Sequence, residues 1–304
     1  MSHRGNSVSW VVGIIALGGV VWYFRPEGFV ASLKTVGWQG ALGWVAITVV
    51  ARALYAEVPT RLLRALEYRI RRLQLYSIAW LRTFSNQIVP MTGIAVYLQQ
   101  VRTQSGASWQ DLAASSSQQV FISLSALGIV GVVAVMLNWS ATANGAAPLT
   151  AAFAALACGA VAASLGVSWV LGKLPESMKR RITDGADSFA RLAGNAPLIS
   201  LLVGMQCAAL VLRGSRLWLL FVLLGVTIDW REALLIIALA EATILVAVTP
   251  GGLGIREAII IGGASLLGLP INVSVMVSLV DRLFVVVLAG AFAGPSAFYL
   301  YRTS

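Results

Sequence analysis

Apolar residues run along this chain in blocks separated by short polar segments, and most blocks are long enough to cross a bilayer as a helix. Val8 to Phe24, Trp38 to Tyr55, Asp111 to Leu137, Leu149 to Leu171, Pro197 to Val226 and Ile271 to Tyr301 predict about six full crossings. The first is closed by Arg25-Pro26-Glu27, lacks a small-x-small cleavage site and is followed by further spans. It therefore reads as an uncleaved helix rather than a signal peptide.

Two more apolar blocks are interrupted. In the second, Glu241 to Arg282, the run breaks at Thr249-Pro250-Gly251-Gly252-Leu253-Gly254-Ile255-Arg256-Glu257, then resumes. A helix broken at Pro and Gly frees backbone groups that hydrocarbon cannot satisfy, so the break must lie inside protein or face a watery cavity. Residues 233–267 therefore predict a broken hairpin. The first interruption is looser: residues 75–100 carry Arg82, Asn86, Pro90, Gly93 and Tyr97, too polar for an ordinary span and too apolar for a plain loop. A re-entrant hairpin fits this pattern, with a long cytoplasmic loop as its alternative.

Charge orients the chain. From Arg52 to Arg82 lie seven arginines against two glutamates, which marks the cytoplasmic face by the positive-inside rule. Leu63, Leu66, Ile70 and Leu73 recur there at helical spacing and predict a helix lying in the interface, either as a snorkelling anchor or in contact with lipid headgroups. Lys173 to Asn195 predicts a second such helix. Asn138 to Pro148 then falls outside, Asp229 to Glu232 forms a short outer turn, and both termini fall in the cytoplasm. Asn138-Trp139-Ser140 matches a glycosylation acceptor, a three-residue pattern too common to carry weight.

Composition agrees. With 58% hydrophobic and 11% charged residues, the chain is a polytopic all-α membrane protein rather than a soluble one. Its net charge of +10 sits in clusters flanking the apolar runs, where membrane orientation explains it and nucleic acid need not. Cys158 and Cys207 lie inside spans without metal or disulfide spacing, and the only histidine is His3. No cofactor or metal is expected, and no nucleophile sits beside a recognisable base, so the chain does not read as an enzyme.

The order of features repeats. Pro90, Gly93 and Tyr97, followed by Gly106 and a span bearing Gln118-Gln119, echo Pro250, Gly254 and Glu257, followed by Gly268 and a span bearing Asp281-Arg282. Three crossings separate the two hairpins, so the first enters from the cytoplasm and the second from outside. This is an inverted-topology repeat, residues 38–137 and 197–301, joined by a connecting span and interfacial segment, residues 149–195. Transporters so built bind substrate near the midplane where broken helices meet.

Candidate binding residues follow from cost. A charge near the middle of a span is expensive unless it meets a partner or water, which singles out Arg213 and Arg216, three apart on one helix face. Two readings stand: pairing with a membrane acid such as Glu241, or binding a substrate's anionic group. Arg256, Glu257, Asp281 and Arg282 carry the same ambiguity, between an anion site balanced by its own acids and a structural clasp across the repeat. Arg82 and Asn86 extend the candidate site into the first hairpin.

The run Pro250-Gly251-Gly252-Leu253-Gly254-Ile255-Arg256-Glu257, with Gly268-Leu269-Pro270 and Asp281-Arg282, resembles the signature of the lysylphosphatidylglycerol synthetase transmembrane-domain family, the flippase-like integral membrane proteins. Asn86, Pro90 and Gly93 keep that family's order in the first half. The chain departs from it at Tyr97 and Gln119, where an arginine or acid is usual, which moves the weight of any charge mechanism to the second half. The resemblance implies movement of a lipid with a polar headgroup between leaflets, and a bacterial cytoplasmic membrane. Some relatives add a cytosolic aminoacyl-transfer domain, and with the sequence stopping at Ser304 that chemistry is expected to be absent.

The reading is a lipid translocase for an anionic or phosphate-containing headgroup, polyprenyl-phosphate-linked lipids included. Membrane lipid is the expected partner, with a second copy of the chain or an envelope-lipid enzyme as a protein partner and no nucleic acid. A carrier of small water-soluble anions and a non-catalytic assembly partner are the alternatives.

Overall fold

The computed structural model describes residues 29–88, 92–140, 145–173, 176–243 and 254–303, and every element among them is a helix. In chain order these are α1 Phe29–Ala65, α2 Arg72–Ile88, α3 Thr92–Ser105, α4 Trp109–Leu137 and α5 Ala146–Lys173, then α6 Glu176–Ala193, α7 Ala196–Leu223, α8 Trp230–Glu241, α9 Ile255–Leu266 and α10 Ile271–Thr303. Five stretches are long and apolar enough to cross a membrane: Ser32–Ala65, Trp109–Leu137, Ala146–Val167, Ala196–Leu223 and Ile271–Thr303. They coincide with five of the six expected crossings. The sixth, Val8 to Phe24, lies outside the described residues, as do Pro90, Pro250, Gly251 and Gly252 at the two interruptions.

Between the long helices sit two pairs of short ones. The α2 and α3 arms pack on each other across the interruption at residues 89–91, and α8 packs on α9 across residues 244–253. At a rise of about 1.5 Å per residue, the 12 residues of α8 or of α9 reach roughly 18 Å, well short of a hydrocarbon layer of about 30 Å. The 14 residues of α3 do little better.

Each hairpin leans on the other half of the chain. α2 packs against α10, α8 packs against α4, and α1 runs along α7 between them. From Ala233 to Ala238 the α8 helix is apolar on every face and no residue is more than 2% exposed. Such a helix is stable only when enclosed. Its enclosure comes from α4, α7 and α9, and the cluster includes Leu127, Leu217, Phe221, Ile260 and Val277.

Where long helices meet without a hydrophobic drive from water, small residues set the distance. Gly128 and Gly131 on α4 face α5 so closely that an added Cβ would stand 2.5 Å from the Ala157 nitrogen and 2.2 Å from the Phe153 ring.

One expected element is replaced. The interfacial helix through Leu63, Leu66, Ile70 and Leu73 does not form as a unit. Instead α1 continues through Pro59 to Ala65, and the chain then reverses into α2. The reversal is a six-residue cap: the Tyr68 N–H donates to the Leu63 carbonyl at 3.0 Å and the Glu67 N–H to Arg64 at 2.9 Å, with Glu67 in the left-handed region at φ 71°. Leu63 and Ile70 are buried with Tyr97 and Leu300, whereas Leu73 faces out, so the helical spacing had joined residues of three different segments. Beside the cap the Tyr68 phenol donates to Asp111 at 2.5 Å, and that hydrogen bond, with burial, raises its pKa above the usual tyrosine value.

Other boundaries shift less. The expected outer turn Asp229 to Glu232 is the first turn of α8, where the Asp229 N–H donates to Glu232 Oε2 at 2.9 Å. Lys173 to Asn195 does contain a separate helix, α6. Asn138 is buried, with Nδ2 donating to the Ala134 and Arg231 carbonyls at 2.8 Å, so its amide serves packing.

Candidate functional site

Six helices bring charged side chains to one interior region, α2 among them through Arg82. α7 contributes Arg213 and Arg216, whose spacing of three puts both on one side with Gly214 against Leu234 of α8 between them. α10 contributes Asp281 and Arg282. α8 ends at Glu241, and α9 opens with Arg256 and Glu257. α1 adds Trp44, Thr48, Arg52 and Tyr55.

Asp281 is the hub, with no exposed surface. Its Oδ2 accepts from Arg216 at 3.0 Å and from Arg256 at 3.1 Å, and its Oδ1 accepts from Trp44 Nε1 at 3.0 Å. Arg216 Nε stands 3.0 Å from Oδ1 as an ionic contact without hydrogen-bond alignment. The same guanidinium covers the Trp44 ring at 4.8 Å and reaches Thr48 Oγ1 at 3.5 Å. A carboxylate can be held this deep only when such partners replace its hydration.

A second ion pair lies beside the hub. Arg213 meets Glu241 at 2.5 Å, and the other Glu241 oxygen is 4.0 Å from Arg256. Arg256 thereby touches both acids, joining the two pairs into one network. The third acid, Glu257, is also fully buried. Its Oε2 accepts from the Gly254 N–H at 2.7 Å and closes the first turn of α9, while Oε1 lies 3.6 Å from Arg282. Gly254 enters that turn at φ 81°, a conformation in which any other residue would be strained.

The first hairpin closes by an equivalent device made from a neutral side chain. The Gly93 N–H donates to Asn86 Oδ1 at 2.9 Å and Thr92 Oγ1 donates to the Ser85 carbonyl at 3.1 Å. A Cβ on Gly93 would stand 2.4 Å from the Arg82 carbonyl oxygen, so only glycine lets α2 and α3 approach here. Asn86 thus holds the hairpin tip.

Arg82 sits over the rings of Tyr97, at 5.3 Å, and Tyr55, at 6.0 Å; Arg213 sits over Tyr55 at 5.7 Å, and Arg52 over Trp80 at 5.3 Å. Tyr55 therefore lies between Arg82 of the first hairpin and Arg213 of α7. No ion pair involves Arg52 or Arg82 among the described residues, whereas Arg213, Arg216, Arg256 and Arg282 all face carboxylates.

Of the residues singled out from the sequence, Arg213, Arg216, Glu241, Arg256 and Asp281 form one ion-paired network, and Glu257 pairs with Arg282 beside it. Arg82 borders it through Tyr55, and Asn86 and Gly93 stand at the first hairpin's tip. Pro90, Pro250, Gly251 and Gly252 are outside the described residues. Sequence reasoning passed over Trp44, Thr48, Arg52 and Tyr55. Their spacing of four, four and three places them on one face of α1, a polar and aromatic stripe in an otherwise apolar helix, and that stripe was the available signal.

Six guanidinium groups share this region with three carboxylates. Planar forks of this kind suit oxyanions, above all phosphate. Among the described residues no three His, Cys, Asp or Glu side chains gather as a metal set.

Neither the curated proteins nor the solved structures gave a match to the chain. The family model described as the lysylphosphatidylglycerol synthase TM region matches residues 10–293, a range that takes in both hairpins and every charged residue of the network. The chain belongs to the lysylphosphatidylglycerol synthase transmembrane-region family.

Proposed function

We propose that this protein moves a lipid with an anionic, phosphate-containing headgroup between leaflets, by a passage lined with arginine. The observation that carries the proposal is the imbalance of charge: six arginines and three acids carried by α1, α2, α7, α8, α9 and α10 in one interior region. A single charged side chain at membrane depth costs about 2.5–3.5 kcal/mol on insertion scales, so a surplus of them calls for an anion that arrives and leaves.

Family membership and the short hairpin arms support the same reading. In it the hairpins are re-entrant, the first from the cytoplasm and the second from outside, and the halves form an inverted repeat with both termini cytoplasmic. The reciprocal packing of α2 on α10 and α8 on α4 suits two such halves. Headgroup and phosphate travel through the polar interior while the acyl chains stay in lipid. The acids keep the arginines compensated between passages, and each pair opens as phosphate takes the carboxylate's place. The protein acts without catalysis, in a bacterial cytoplasmic membrane.

The test is transfer of a labelled anionic lipid across reconstituted liposomes. Arg213→Ala, Arg216→Ala, Glu257→Ala and Arg282→Ala, each verified as folded, are expected to slow it by about tenfold or more, the cost of one charged hydrogen bond. Unchanged transfer in all four removes the passage proposed here.

A further inference from the structure

The arginines divide into two groups, and the division points to where an anion rests. Arg213, Arg216, Arg256 and Arg282 each face a carboxylate of the chain itself. Arg52 and Arg82 face aromatic rings instead, and among the described residues no acid lies within ion-pair distance of either. Arg52 lies within electrostatic reach of Arg82, Arg213 and Arg216, so positive charge accumulates around Tyr55 with one acid, Glu241, at its border.

We infer that Arg52 and Arg82, with Arg213 beside them, form the resting seat of a phosphate group, and that the arginines bound to Asp281 and Glu257 stay paired while it rests there. This rests on the translocase reading and deepens it by naming the subsite and its ligand, a phosphate ester.

Three observations carry the inference. A guanidinium stacked on an aromatic face keeps its in-plane N–H groups free for an oxyanion, because the ring occupies only the face of the fork. Trp80, whose ring Arg52 covers, is buried with its Nε1–H lacking an acceptor among the described residues, and the neighbouring Tyr76 hydroxyl is likewise buried and unpartnered. Buried donors of this kind are costly until something accepts from them. Finally, Arg52 and Tyr55 come from α1, Arg82 from α2 and Arg213 from α7, so a ligand seated here touches both halves of the chain. Tyr97, the ring under Arg82, is itself buried.

The experiment measures ligand binding without transport. The purified full chain in a zwitterionic detergent is titrated with dihexanoyl phosphatidic acid, inorganic phosphate or dihexanoyl phosphatidylcholine, and its Tm is followed. Phosphatidic acid is expected to raise Tm, with phosphatidylcholine giving no such rise. An equal response to inorganic phosphate identifies the free anion, rather than a lipid headgroup, as ligand of the same seat. The double variant Arg52→Gln, Arg82→Gln is expected to keep the unliganded Tm of the parent and to raise the apparent Kd on the order of tenfold or more. Arg52→Lys with Arg82→Lys keeps the charge, loses the fork and is expected to bind at an intermediate level.

A parent protein that responds to none of the phosphate probes, or a Gln double variant that binds as the parent does, overturns the seat. Binding that follows these expectations in a protein that moves no lipid leaves the seat standing and removes the translocase.

Discussion

Asp281 of α10 binds Arg216 of α7 in the interior, their hydrogen bond measuring 3.0 Å and the carboxylate having no exposed surface. The two lie 65 positions apart, so the pair fixes the last long helix to the one that precedes the second hairpin. Arg256 reaches the same carboxylate from the hairpin itself. Asp281 consequently holds three elements with one side chain, and Trp44 brings in a fourth.

Asp281→Ala strands two guanidinium groups inside the protein. Removing one member of a buried pair typically costs about 3–5 kcal/mol, because the survivor keeps its burial and loses its compensation. Chemical unfolding in detergent micelles is expected to show a loss of that size, and Trp44→Phe a smaller one of about 1–3 kcal/mol. A stable Asp281→Ala protein would mean that water or an ion already solvates the arginines.

Close approach between helices gives a second prediction. Gly93→Ala forces a methyl against the Arg82 carbonyl and separates the arms of the first hairpin, at an expected cost of about 1–3 kcal/mol. Asn86→Ala removes only the acceptor for the Gly93 N–H and should cost about 1 kcal/mol. Gly204→Ala, where nothing lies within 4 Å of the added methyl, should be neutral or stabilising by up to about 1 kcal/mol. The order of the three midpoints is the check, and Gly204→Ala falling lowest would contradict this packing.

Membrane orientation is tested by labelling. Ser140 is exposed just after α4 and Thr103 is exposed near the end of α3. In a functional protein made free of Cys158 and Cys207, Ser140→Cys should react with a membrane-impermeant maleimide from outside intact cells, and Thr103→Cys only after the inner face is opened. Reversed labelling would turn the hairpins, and the positive-inside assignment, the other way round.

The long helices were legible because hydrocarbon imposes a length and a composition that local sequence cannot disguise: Trp109–Leu137 and Ile271–Thr303 announce themselves. The short paired helices were legible through Gly93, where close approach of α2 excludes a side chain, and Gly254, whose positive φ favours glycine. The segment from Arg52 to Arg82 misled, because its arginines and its leucine spacing invite a single surface helix. Nothing local reveals that Pro59 sits inside α1 or that Glu67 adopts a left-handed turn. Arg52 was absorbed into that basic cluster and its inward face went unnoticed. Pairing was the least legible feature. Asp281 and Arg282 are neighbours in sequence, yet one binds Arg216 and Arg256 while the other faces Glu257, a choice made by helix packing alone.

Selectivity in a sealed vesicle is the decisive measurement, since a passage built of surplus arginine must discriminate by headgroup charge while acyl chains stay in the lipid. Purified protein is reconstituted at low density, and the rates at which labelled phosphatidylglycerol, labelled phosphatidylcholine and radiolabelled inorganic phosphate cross are compared with protein-free vesicles. Phosphatidylglycerol is expected to cross rapidly and phosphatidylcholine more slowly, with no flux of phosphate above the protein-free level. Rapid phosphate flux with both lipids immobile would contradict this expectation and identify a carrier of soluble anions.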